Sequence, residues 1–190
     1  MKIDTKDAEV ILNGGAWLWS KEATIITDQA VKLFAENPEH FFSDMDMGGP
    51  QAVKGYFDFD KLKELSDPMA ELLSKYPGEI ELDFGKDFAE FSESVADCLG
   101  RTKGRIRFES ALYLSDEAWE SLSKHEGDLL LNYQKKLSDA ALISLSKHKG
   151  ELGLMMIEEI SEIAALAIKE RLDPIDEMSP AEFLSQYGFD

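Results

Sequence analysis

Two hydrophobic periods alternate along this chain, and the alternation is written twice in nearly the same residues. The segment LSDEAWESLSKHEGDLLL begins at Leu114, and LSDAALISLSKHKGELGL begins 23 residues later, at Leu137. In each copy, apolar residues first recur every fourth position, as on one face of a short helix, and then alternate with polar residues, as in a half-buried strand. The pattern therefore predicts a repeated unit of one helix followed by one strand.

The same register can be followed over most of the chain. Further units begin at Ile26, Leu65, Phe91 and Ile160, and a glycine precedes each of six predicted strands: Gly15, Gly55, Gly78, Gly104, Gly127 and Gly150. Because Gly55 and Gly78 are again 23 residues apart, we interpret segment 46–61 as a shortened unit and not as a linker. No domain boundary appears, so a single domain over residues 1–190 is expected.

Repeated helix and strand units without hairpin turns make every strand point the same way. The expected fold is α/β, with a curved parallel sheet on one side and a row of helices on the other. Twelve residues are predicted to point into the core between the layers: Ile80, Leu82, Ile106, Phe108, Leu129, Leu131, Leu152 and Leu154 from strands, and Trp119, Leu122, Leu142 and Leu145 from helices. An all-helical array is the alternative, because the strand stretches are short.

Helix-start signals and both chain ends fit this arrangement. Ser115 and Ser138 are predicted N-caps, because a serine hydroxyl can accept a hydrogen bond from a free N–H of the first turn. An N-terminal cap over about 1–15 contains a predicted helix at 5–12, and a C-terminal cap over about 174–190 is predicted to start a helix at Ser179. Such caps close the open core of a repeat array.

The Leu-x-Leu strand, the Leu-Ser-Asp helix start and the 23-residue unit resemble leucine-rich repeats, in the compact form found in bacterial proteins. The resemblance covers about residues 15–177. It departs from the family where an asparagine should follow each strand, since Gln134 stands there in one unit and Gly85, Ala111 and Ile157 in others. The resemblance implies a right-handed β-α solenoid, a horseshoe with helices on the convex side. It also implies a strand face that binds a protein, and no catalytic residue.

The strand residues between the inward ones would form an exposed sheet face with a concentration of charge. Five carboxylates stand together there, with two aromatic residues at their edge and two arginines beside them: Asp58, Asp60, Glu79, Glu81 and Asp83; Phe42 and Tyr56; Arg105 and Arg107. One interpretation is a binding site for a basic protein, which charges would attract and aromatic rings would contact. The other is a cross-strand ladder in which the arginines neutralise the carboxylates. A metal site is disfavoured, because no unit has the spacing of a calcium loop.

Composition narrows the possible functions. The net charge of −18 disfavours nucleic acid and anionic membranes, since no run of Lys or Arg exceeds two residues, and it suits either simple solubility or a basic partner. One cysteine, Cys98, and a charged N-terminal segment without the apolar core of a secretory signal predict a cytoplasmic protein.

No catalytic motif is present, so we expect a monomeric protein-binding module without enzyme activity, metal or cofactor. An acidic inhibitor or immunity-type protein that neutralises a basic target is the alternative, and a structural spacer is a third class.

Three smaller groups are interpreted as structural. His125 and His148 occupy the same position in neighbouring units and are predicted to be cations at helix C-termini. Cys98 is predicted to be an inert small side chain in or beside the core. Segment 44–49, DMDMGG, lacks the distant glutamate of a calcium loop and is predicted to be an ordinary loop.

Overall fold

The computed structural model describes residues 1–13, 19–43, 54–169 and 185. The described elements are, in order, β1 (Lys2–Ile3), α1 (Thr5–Leu12), α2 (Trp19–Glu22), β2 (Ile25–Ile26), α3 (Asp28–Glu36), α4 (Pro38–Ser43), β3 (Lys54–Phe59), α5 (Asp67–Ser74), β4 (Glu79–Phe84), α6 (Glu93–Gly100), β5 (Gly104–Phe108), α7 (Asp116–Leu122), β6 (Asp128–Leu130), α8 (Asp139–Leu145), β7 (Leu152–Gly153) and α9 (Glu162–Ile168).

Five strands, β3 to β7, form one parallel sheet in chain order, with a helix between each pair of neighbours. This confirms the predicted α/β class with parallel strands and excludes the all-helical alternative. From β5 onward the paired residues are 23 apart, as in Ile106 with Leu129 and Leu129 with Leu152. The shortened unit does not keep that spacing, because Gly55 pairs with Ile80 and not with Gly78.

The core lies on one side of this sheet, under the helices. All twelve residues predicted to point inward are buried. Three phenylalanines, one from each of three neighbouring strands, stack in a row: the ring centroids of Phe59 and Phe84 are 5.5 Å apart, and those of Phe84 and Phe108 are 5.0 Å apart. Because aromatic pairs contribute about 0.5–1.5 kcal/mol beyond the area they bury, this row stabilises the packing of β3, β4 and β5.

At the starts of three successive helices, α6, α7 and α8, a serine serves two units at once. Ser115 Oγ accepts a hydrogen bond from Ala118 N at 3.2 Å, which is the predicted N-cap, and donates to Glu93 Oε1 of the preceding unit at 3.2 Å. Ser92 likewise accepts from Val95 N and donates to Asp67 Oδ1 at 2.8 Å. The third member of the series joins the predicted cap Ser138 to Asp116. The repeated Ser-Asp or Ser-Glu pair therefore has a physical reason, and we call this series the serine ladder.

The turns after the strands are held without the asparagine that the resemblance leads one to expect. Gln134 is buried, and its Oε1 accepts from Leu112 N at 2.7 Å while its Nε2 donates to Leu112 O at 3.0 Å and to Lys136 O at 2.9 Å. One side chain thus satisfies the backbone of its own turn and of the turn before it.

Near the N-terminus, one prediction is confirmed and another is wrong. Helix α1 covers the predicted residues, and Asp4 caps it with a capping box. Phe42, predicted to lie on a strand, lies instead in helix α4, and its side chain is outside the described residues. The reason is local: Phe41 N donates to Asn37 O at 3.0 Å, and Pro38 stands at the first helical position, which it favours. The predicted C-terminal cap, apart from residue 185, and the loop at 44–49 lie outside the described residues.

Candidate functional site

The predicted face residues lie close together on the side of the sheet opposite the helices, which we call the strand face. They form two rows that cross three strands: Tyr56, Glu81 and Arg105 in one row, and Asp58, Asp83 and Arg107 in the next. Glu79 begins strand β4, and Asp60 directly follows β3. Of the nine residues predicted for this site, only Phe42 is on another element.

Asp83 is at the centre of this group, and it is buried. Only 5% of the residue is exposed, and its Oδ2 accepts hydrogen bonds from Tyr56 Oη at 3.0 Å and from Arg107 Nη2 at 2.7 Å. Tyr56 is 43% exposed and the Arg107 side chain 42%. The expectation that all five carboxylates face solvent is therefore wrong for Asp83, because longer side chains from both neighbouring strands bend over it. Asp83 acts as a support that fixes the position of two exposed groups.

We call Tyr56, Asp83 and Arg107 the trio. The electrostatics of the trio keep Tyr56 and Arg107 protonated, so that both can donate hydrogen bonds. Partial burial, followed by the hydrogen bond to Asp83 and the charge of that carboxylate, raises the pKa of Tyr56 to about 12. Burial by itself would lower the pKa of Arg107, but the charge and hydrogen bond of Asp83 outweigh it and raise that pKa. Tyr56 therefore remains a neutral phenol and Arg107 a cation at neutral pH.

Glu81 and Asp58 of the predicted patch are also paired, as is Glu109, which lies outside it. Arg105 Nη2 lies 2.7 Å from Glu81 Oε2, Arg107 Nη2 lies 3.6 Å from Glu109 Oε1, and Lys21 Nζ lies 3.3 Å from Asp58 Oδ2. The contacts of Arg105 with Glu81 and of Arg107 with Asp83 are those of the cross-strand ladder considered above, whereas Lys21 reaches Asp58 from helix α2. Since exposed ion pairs contribute about 0–1 kcal/mol each, their main effect is to hold the guanidinium groups in fixed positions on the face.

The same face continues over β6 and β7 with different chemistry, which sequence reasoning did not select as a site. Met155 is 80% exposed, Tyr133 50% and Met156 43%, and Leu130 is half-buried beside Gly153. The signal was visible in the sequence, because Leu130 and Met155 stand at positions where the alternation calls for polar residues. We call Leu130, Tyr133, Gly153, Met155 and Met156 the apolar end of the strand face.

The two histidines are not the helix-terminal cations that were predicted. His125 and His148 are 1% and 0% exposed, and their rings lie nearly parallel with centroids 6.1 Å apart. His125 Nε2 lies 3.1 Å from Gly104 O, and His148 Nδ1 lies 3.3 Å from Ser123 O. Burial lowers the pKa of His125; the hydrogen bond with Gly104 O opposes this effect, and the charge of His148 adds to it. The chain turns inward after each helix, so the rings occupy the core side of the turn.

Cys98 and one cavity lie elsewhere in the described structure. Cys98 is buried, its pKa is raised by burial, and its Sγ lies 3.4 Å from Glu71 Oε2, which fits the inert role predicted for it. Within the described ranges, no group of three or more His, Cys, Asp or Glu side chains is arranged to hold a metal ion. A cavity of about 220 Å³ lies away from the strand face, between the starts of α3 and α5, where Ile26, Leu65 and Met69 line it.

No family model matches the chain, and neither does any curated protein or any solved structure. Of the helices in the described part of the chain, none has both the length and the apolar composition needed to cross a membrane.

Proposed function

We propose that this protein is an intracellular, non-catalytic module that binds a partner protein on its strand face. The observation that carries the proposal is the trio in which buried Asp83 holds Tyr56 and Arg107 at 3.0 and 2.7 Å while both remain about two-fifths exposed. Tyrosine and arginine dominate the binding energy of protein interfaces. Groups that are already fixed lose less conformational entropy when a partner binds.

The same proposal extends to the architecture. We propose that the units continue as a right-handed solenoid of the leucine-rich-repeat type, with the strand face on its concave side. Strand order β3 to β7 follows the chain, and the paired residues settle at the 23-residue spacing of the sequence repeat, both of which support this. A concave sheet would present its trio and its apolar end to one partner.

An acidic inhibitor or immunity-type protein is the second candidate, and the net charge of −18 favours it. A charge of this size accelerates the approach of a basic target and makes association sensitive to salt. On the strand face itself the carboxylates are partly offset by Arg105, Arg107 and Lys21, so the charge would steer the encounter while Tyr56 and the arginines make the contacts.

The test starts with a partner purified from native cell extract on the immobilised protein, at low and high salt. Tyr56→Ala and Arg107→Ala should each increase the dissociation rate of that purified partner at least several-fold, because they remove the exposed groups of the trio. The matched control is Glu117→Ala with Asp139→Ala on the helix side, which should leave dissociation unchanged. A partner that ignores the trio variants and responds to the helix-side pair would place the interface on the opposite surface.

A further inference from the structure

We propose that the apolar end of the strand face, together with Asp128 and Glu151, is the docking site for an extended segment of the partner in which a basic residue and an apolar residue are two positions apart. The inference rests on the proposed function, since it names the chemistry that the same strand face recognises. It adds a second contact region, on β6 and β7, to the trio on β3 to β5.

The apolar part of this region surrounds Gly153, and side chains of the neighbouring unit fill the space above that glycine. Gly153 carries no side chain, and a Cβ added there would lie 2.5 Å from Asn132 Oδ1 and 3.2 Å from Leu130 Cδ2, so neighbouring side chains already lean over the glycine. Met155 lies two residues after Gly153, in the turn that follows β7, and is the most exposed large apolar residue of the described chain. Unbranched, flexible methionine adapts its shape to an apolar group laid against it.

The register of the last two units brings the remaining apolar side chains to the same edge. Leu130 pairs with Gly153, and Lys136 pairs with Glu159, so positions 23 residues apart are neighbours throughout this stretch. Tyr133 therefore stands at the position equivalent to Met156, which follows Met155 in the chain. Leu130, Tyr133, Met155 and Met156 are all exposed or half-exposed, with polar Asn132 among them, and such a group of apolar side chains on a folded protein marks a binding surface.

Two carboxylates border this patch on its other side, and their charge decides what kind of partner fits. Asp128 and Glu151 are neighbours across β6 and β7, since Glu151 N donates to Asp128 Oδ1 at 3.3 Å. Arg105 pairs with Asp128 in the register, yet its guanidinium is bonded to Glu81 on the other side at 2.7 Å. Among the described residues, neither Asp128 nor Glu151 takes part in an ion pair, in contrast to Glu81 and Asp83. The charge of this border is available to a cationic group of the partner.

The spacing of these features sets the pattern of the bound segment. Glu151 and Gly153 are two residues apart on the stretch that pairs with β6, which is about 7 Å along a strand, and Met155 lies in the turn that follows β7. An extended segment repeats its own side chains on one face at the same distance. A lysine or arginine at one position can therefore reach Asp128 and Glu151 while an apolar residue two positions away lies over Leu130, next to the turn that holds Met155.

The experiment uses the full chain with ¹³C-methyl-labelled methionine and a synthetic peptide, Lys-Ser-Leu-Ser-Lys-Ser-Leu, blocked at both ends. Its control replaces both leucines by serine and keeps the charge. We expect saturable shifts of the Met155 and Met156 methyl signals, assigned through Met155→Leu and Met156→Leu, and no shift of buried Met69. The leucine-free peptide should give no saturable shift at these methyls, because it has nothing to cover the apolar patch.

Charge variants complete the test. Asp128→Asn with Glu151→Gln should weaken binding of the leucine-containing peptide about tenfold and reduce its salt dependence, while Glu117→Gln with Asp139→Asn removes the same charge on the helix side and should have little effect. Equal shifts with the leucine-free peptide, or equal weakening by the two pairs of substitutions, would overturn the docking site.

Failure of the docking site and failure of the proposed function can be told apart. If the methyl signals do not respond but partner dissociation still depends on Tyr56, only the docking site is wrong. If the peptide docks but the purified partner ignores Tyr56 and Arg107, the docking site stands and the proposed function loses its trio.

Discussion

The rings of His125 and His148 lie almost parallel, 6.1 Å apart, within the core. Because burial lowers the pKa of His125, the unfolded chain binds more protons than the folded one as the pH falls through the ordinary histidine value of about 6.5. The contribution of His125 to the free energy of unfolding is therefore complete above that pH and declines below it.

The corresponding prediction compares the native protein with His125→Gln in urea unfolding between neutral and mildly acidic pH. The variant should be less stable at neutral pH, because it loses the contact with Gly104 O, and the difference in unfolding free energy should shrink on acidification. Comparing the two proteins cancels the general effect of neutralising carboxylates in a chain of net charge −18. A difference that stays constant with pH would show that the folded core accommodates a protonated ring.

Asp83→Asn tests the support role of the buried carboxylate. The amide removes the negative charge that faces Tyr56 and Arg107, so the pKa of Tyr56 should fall from about 12 toward the ordinary value of about 10. The free energy of unfolding should fall by only about 1–2 kcal/mol. Arg107 loses its charged partner, but its side chain is partly exposed and water can replace that partner. Tyrosine-ring NMR titration, with Tyr56→Phe for assignment, gives the pKa. Glu81→Gln removes the same charge from the carboxylate that pairs with Tyr56 in the register but is bonded to Arg105, and it should move the Tyr56 pKa much less.

Neighbouring leucines on β6 and in the turn after it should respond in opposite ways to the same substitution. Leu131→Asp places a carboxylate in the core, where the leucine is 1% exposed, and should cost at least about 3 kcal/mol or prevent folding. Leu130→Asp lies on the half-buried strand face and should change stability by about 1 kcal/mol or less while abolishing peptide docking. Thermal melts followed by circular dichroism distinguish the two. Equal damage by both would contradict the strand register.

Ser115→Ala should destabilise the protein by about 1–2 kcal/mol, since it removes a helix cap and a bond to the preceding unit together. Glu93→Gln keeps a hydrogen-bond acceptor for the serine and should cost much less. Chemical denaturation measures both. An effect of Ser115→Ala no larger than that of Glu93→Gln would mean that the serine ladder contributes little.

Removing one whole unit, residues 114–136, tests the proposed solenoid. The shortened chain keeps strands of the same type as neighbours, so it should fold with mixed helix and strand circular dichroism, although it loses the Gln134 contacts to Leu112. Removing residues 114–125 takes away the helix but leaves the strand and should not be tolerated. If the half-unit deletion folds as well as the whole-unit deletion, the units do not behave as repeats.

The repeat and the inward residues could be predicted because they follow local rules. Alternation with period two determines which strand residues face the helices, and a serine before an acidic residue determines where a helix starts. Leu129, Leu131 and Ser115 obey these rules without help from distant parts of the chain. The glutamine contacts at Gln134 were not predicted, because they depend on how closely two turns approach each other.

The errors arose where contacts between units override local pattern. Asp83 alternates like an exposed residue, but Tyr56 and Arg107 from the neighbouring strands cover it. His125 follows a lysine at a helix end, like a solvated cation, yet the turn carries it into the core. Phe42 was predicted to lie on a strand, but a helix begins four residues before it. Pro77 leads into a glycine and a strand, whereas Pro38 occupies the first position of a helix, which the preceding Asn37 could have indicated.

The serine ladder also gives the array a direction. In all three links the hydroxyl donor belongs to the later unit and the carboxylate acceptor to the earlier one. When a later helix melts, the earlier helix keeps its own cap and a carboxylate at its positive end. When an earlier helix melts, the later serine keeps the N–H that it caps. Fraying at either end of this stretch therefore destabilises the neighbouring helix only slightly. Opening α6 or α7 instead breaks two serine–carboxylate bonds at once. Hydrogen exchange should accordingly be slowest around α6 and α7.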